Sequence, residues 1–130
     1  MVHRDRDFMS ESDVAAWAEK RGYIEHKIPF WLPQSSDIEA EFCNRHHISE
    51  VLSISTEDAG GILEAAVYLN DHDEVERNFN TALQGAINSL PSDVRSIPTA
   101  RWRDMGEYNA LTIKGKCLIE SIRLRTHSLR

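Results

Sequence analysis

Cys43 stands three and four positions before His46 and His47. Thiolate sulfur and imidazole nitrogen are the donors zinc prefers, and on one helical face that spacing turns all three toward a common ion. A structural zinc needs a fourth ligand, which only Cys117, Glu39 or a distant histidine can supply. The expected reading is therefore a small buried cysteine beside histidines at a helix end, with no metal. Asp71-His72-Asp73 flanks an imidazole with two carboxylates, an arrangement that can place its titration near neutrality. These residues precede a helical pattern, so capping is their expected task. Nucleophilic chemistry at Cys43 or Cys117 would need an activating base. Arg123 and His127, four apart, belong to no recognisable catalytic order. The chain has no GxSxG, P-loop, HExxH or EF-hand loop, and Gly60-Gly61 has no adjacent Lys-Ser/Thr to bind phosphate. No catalytic residue, cofactor or metal is expected, and the chain is not read as an enzyme.

With 130 residues, 41% hydrophobic and 28% charged, the chain fits a single domain with one modest core. Two cysteines without a CxxC spacing are too few for a disulfide framework. No apolar run approaches the roughly 18 residues of a membrane span. The opening Met1-Val2-His3-Arg4-Asp5-Arg6-Asp7 lacks the apolar stretch of a secretory signal. A cytoplasmic protein with no membrane partner is expected, with residues 1–9 a candidate disordered tail. Charge is unevenly placed. Residues 1–100 hold 18 acidic and 8 basic side chains, a balance of −10, while 101–130 hold 3 and 7, a balance of +4, giving −6 in all. An acidic body repels phosphate and favours a basic partner, such as a nuclease or another kind of nucleic-acid-binding protein.

The elements that would position these groups are mostly helices. Ser10-Glu11-Ser12-Asp13 opens a helix carrying Val14, Trp17 and Ala18 inward, up to Gly22. Ile28-Pro29-Phe30-Trp31-Leu32-Pro33 is extended, because two prolines bracket its aromatic pair. Ser36-x-x-Glu39 has the form of a second capping box, opening a helix through Ile38 and Phe42. Thr56-Glu57-Asp58 starts a third helix with Ala59, Ile62, Leu63, Ala66 and Val67 inward. In the fourth, Val75, Phe79, Ala82, Leu83, Ala86, Ile87 and Leu90 fall at offsets 0, 4, 7, 8, 11, 12 and 15, one continuous face closed by Pro91. Leu111 to Leu124 reads as a last helix with Ile113, Cys117, Leu118 and Ile122 inward. The fold class is thus mainly α, a compact domain of about five helices, with one short β-hairpin allowed near residues 99–111.

The run Tyr108-x-x-Leu111-Thr112-x-Lys114-Gly115-x-x-Leu118-Ile119-Glu120-x-Ile122-Arg123 resembles the end of a winged-helix DNA-binding domain, where a wing strand leads into a capped terminal helix. The resemblance covers about 25 residues. It implies Thr112 as N-cap with Gly115 tolerated in the first turn. It also implies a wing hairpin from Thr99–Trp102 and Glu107–Leu111 around Met105-Gly106, and residues 75–90 as recognition helix. Arg101, Arg103 and Lys114 would then contact nucleic acid. The helix offered to the groove opens with Asp71, Asp73, Glu74 and Glu76, which would face phosphates.

That charge places a transcriptional regulator second. The first reading is a small acidic, non-enzymatic interaction protein of the inhibitor, immunity or adaptor type, binding a protein partner, with a basic one suited to its charge. Its expected contacts are Glu74 and Glu76, with Phe30 and Trp31 as an aromatic anchor held in a rigid loop.

Overall fold

A computed structural model describes residues 1–128, and its elements in chain order are β1 (Val2–His3), α1 (Glu11–Lys20), β2 (Phe30–Trp31), α2 (Arg45–Leu52), α3 (Thr56–Tyr68), α4 (His72–Ile87), α5 (Pro98–Asp104) and α6 (Gly115–Ser128). The chain is mainly helical, as its patterning indicates. Each of the first four helices begins on a side-chain cap. Ser10 and Asp13 form a reciprocal capping box on α1, and Asn44, Ser55 and Asp71 accept from the third backbone N–H of α2, α3 and α4. The α4 cap is Asp71, two residues before Asp73.

The core is built on the inner face of α4, with α5 packed against it and residues of α1, α3 and α6 completing the cluster. Phe79, Leu83 and Ile87 of α4 are all buried, with Phe8, Met9, Trp17, Trp102 and Leu118 in the same cluster. Phe8 lies on Phe79 with ring centroids 4.3 Å apart, and Trp102 meets Phe79 edge-on at 5.2 Å.

Four sequence expectations are corrected. Residues 1–9 are ordered. β1 pairs in parallel with β2, Asp7 donates its N–H to the Ser36 carbonyl, and Arg6 Nε donates to the Pro33 carbonyl at 2.7 Å. Asp7 and Phe8 turn through positive φ (50° and 68°), which delivers Phe8 and Met9 into the core. Secondly, 99–111 is no hairpin. Pro98 sits in the first turn of α5, where its missing N–H costs nothing, and Met105-Gly106 ends that helix with Gly106 at φ 85°.

Thirdly, Ser36-x-x-Glu39 opens only a 3₁₀ turn, Glu39–Phe42, leaving Ile38 and Phe42 half exposed. Its N-cap position, Ile38, has no side-chain cap, and the carboxylate of Asp37 just before it accepts from Ala40 N–H at 2.9 Å. Fourthly, Thr112 does not cap α6, since its hydroxyl is engaged with the Glu107 and Asn109 carbonyls of the preceding turn. Asp37 serves that end too, both its oxygens lying 3.1 Å from the Gly115 nitrogen.

Candidate interaction surface

A corner is formed where α3 gives way to α4 through Leu69, Asn70 and Asp71. Two side chains fix it. The Asn70 amide donates to the Ala66 carbonyl at 3.0 Å and to Ser121 Oγ on α6 at 2.9 Å. The Tyr108 hydroxyl lies against the Val67 and Asn70 carbonyls, to one of which it donates. Burial is the main influence raising the Tyr108 phenol above its ordinary value, with Tyr68 and Asp71 adding to it, so it remains a donor at neutral pH.

On this frame an aromatic row reaches the surface. Tyr68 is 71% exposed and meets Tyr108 edge-on at 6.1 Å. His72 packs on Tyr108 at 5.2 Å and edge-on to buried Trp102 at 6.0 Å. Leu69 is also exposed. Beside this row the first turns of α4 carry Asp71, Asp73, Glu74 and Glu76. Asp71 is spent on the cap, accepting from Glu74 N–H at 3.0 Å. Asp73 lies 3.5 Å from His72 Nδ1, and no ion pair among the described residues engages Glu74 or Glu76. The positive end of the α4 dipole eases the crowding of these anions. Among the described residues, His72, Asp73 and Glu76 bring ligand atoms within 4.8 Å of one another, a spacing that fits a cation or a partner's ammonium or guanidinium group.

The other expected contact residues lie elsewhere. Phe30 is half buried, edge-on to Trp17 at 5.8 Å and near Tyr23 at 6.1 Å, whereas Trp31, next to it on β2, is 45% exposed. The pair is therefore divided between core and surface. Arg101 is half buried and donates through Nε to the Phe8 carbonyl at 3.2 Å, Arg103 is exposed on α5, and Lys114 lines a shallow cleft with Asp71 and Glu74. With no hairpin between them, these three cations are not displayed on a wing.

Cys43, His46 and His47 do not share a helical face. Asn44 caps α2, so Cys43 falls outside that helix. The Cys43 thiol donates to the Glu39 carbonyl at 3.6 Å, and burial pushes it up to about 11, keeping it protonated at neutral pH. His47 instead packs on Phe42 at 5.2 Å.

One surface escaped sequence reasoning. Between α2 and α6 runs an apolar groove of about 390 Å³, lined by Phe42, Ile48, Val51, Ile119 and Ile122 among others. No described helix is long and apolar enough to cross a membrane. Compared with protein families, curated proteins and solved structures, the chain matches none.

Proposed function

We propose that this is a small acidic, non-enzymatic interaction protein that binds and modulates a basic protein partner through the α3–α4 corner. One observation carries the reading: exposed Tyr68 and Leu69 lead directly into the acidic first turns of α4, where no ion pair among the described residues engages Glu74 or Glu76. A corner that offers both exposed aromatic surface and unpaired carboxylates suits arginine- or lysine-rich segments, which gain ion pairing from the acids and cation–π contacts from the rings. Both cysteines are free, which supports a reducing, cytoplasmic setting.

The test titrates an arginine-rich peptide, and separately duplex DNA, into isotopically labelled protein. The peptide should shift the backbone resonances of residues 68–76. Glu74→Arg with Glu76→Arg should weaken its binding by at least tenfold, with the gap closing as salt rises. Peptide shifts spread evenly over the surface would overturn the reading. Tight, sequence-dependent duplex binding, strengthened by the same reversals and weakened by Arg101→Ala and Arg103→Ala, would replace it with a DNA-binding regulator.

A further inference from the structure

The outward face of α6 carries Ile119, Glu120, Arg123 and Leu124, all exposed, while Leu118 and Ser121 are buried and Ile122 is half buried. Ser121 marks the inward side by its contact with Asn70. At 3.6 residues per turn the four exposed positions occupy one sector of about 140° on the opposite side. Along this sector the chemistry reads the same in both directions about a point midway between Ser121 and Ile122. Glu120 exchanges with Arg123, an anion with a cation, and Ile119 exchanges with Leu124, apolar with apolar.

We propose that this face is covered by a second copy of the chain, in an antiparallel two-fold dimer whose axis passes by that midpoint. A two-fold interface requires each contact to occur twice and each patch to complement itself. Antiparallel α6 helices meet the condition, because Glu120 comes level with the partner's Arg123 and Arg123 with the partner's Glu120. Within one chain these two already lie 2.7 Å apart with side chains 55% and 71% exposed, so each keeps accessible surface for a second counter-charge. Ile119 and Leu124 flank the charged seam and shield its aliphatic stems.

A single helix crossing is small beside the roughly 1,000 Å² of a stable interface. Here it is extended by the α2–α6 groove, which shares Ile119 and Arg123 and carries the exposed side chains of Phe42 and Val51 on its rim. The next pair outward, Lys116 with His127, is basic on both sides. It lies about 8 Å along each helix from the crossing point, where crossed helices have diverged. The α3–α4 corner is on the Asn70 side of α6, so pairing leaves it open.

Sedimentation of the full chain, from a few micromolar to about 0.5 mM, tests the dimer across the range where such an interface is populated. The wild type should dimerise, and Glu120→Arg and Arg123→Glu should each weaken self-association at least tenfold. Mixed in equal amounts, the two variants should form a heterodimer, because each copy's like charges then meet the other's opposite ones. Both substitutions break the contact within the chain, so its loss cannot explain recovery on mixing. A wild type monomeric throughout overturns the proposal. So do single variants that dimerise like the wild type, or a mixture that stays monomeric while circular dichroism shows both variants folded.

Discussion

At Gly115 a β-carbon would lie 2.1 Å from the Ala40 nitrogen and 2.3 Å from Asp37 Oδ1. The first is backbone and the second is held by two N–H donors, so neither gives way cheaply. Gly115→Ala should destabilise by about 3 kcal/mol or more, at the upper end of overpacking effects, as read from the midpoint of denaturant unfolding. The sequence suggested only that glycine is tolerated there, because a contact with residues far upstream leaves no local mark. Asp37 adds a pH signature. Burial raises its carboxyl above the ordinary 3.8, and the N–H groups of Ala40 and Gly115 pull it down only in part. The native state therefore holds this proton to higher pH than the unfolded chain. Its ionised form costs stability near neutrality, and that cost fades as pH falls through the raised value. Relative to Asp37→Asn, which has no such titration, the wild type should gain stability between pH 7 and about 4. A difference between the two that is flat with pH would mean the hydrogen bonds cancel the burial.

Among the elements, α3 and α4 were legible because their information is local: a cap, then apolar residues every three or four positions. Val75, Phe79, Leu83, Ala86 and Ile87 are all buried. Leu83→Ala should accordingly cost on the order of 2–5 kcal/mol by chemical denaturation, and a loss below about 0.5 kcal/mol would mean that this face is not the core. The segments misread are those whose conformation is set from a distance. β1 finds its partner at Phe30–Trp31, an association invisible in a charged run such as His3-Arg4-Asp5-Arg6-Asp7. In 99–111, Met105-Gly106 satisfies a helix end as well as a hairpin turn, and burial of Trp102 against Phe79 settles which. Of the candidate surface, Glu74 and Glu76 were readable from charge. Tyr68 and His72 were not, because their roles depend on Tyr108 arriving from 36 to 40 residues downstream.

Over the whole molecule, several cations are spent on backbone carbonyls. Arg6, Lys20 and Arg101 donate to the backbone carbonyls of Pro33, Ser89 and Phe8, tying separate stretches together, and Arg95 closes the turn after α4 on the Leu90 carbonyl. In early α4, Asp73 and Glu74 face outward and Glu76 is half exposed, while Asp71 caps the helix. The first nine residues belong to the same construction. Phe8→Ala should cost about 3–5 kcal/mol in thermal or denaturant melts, whereas a dispensable tail would show no change. The seat of α6 on Asp37 and Ala40 also bears on biosynthesis. The ribosome makes α6 after every other described helix, so its docking site waits open through most of translation. A nascent chain halted near residue 110 would have Asp37 and the inner side of the bundle bare of Ile113 and Leu118, a sticky intermediate for chaperones or proteases to find. Emergence of α6 from the exit tunnel would then be the event that closes this site.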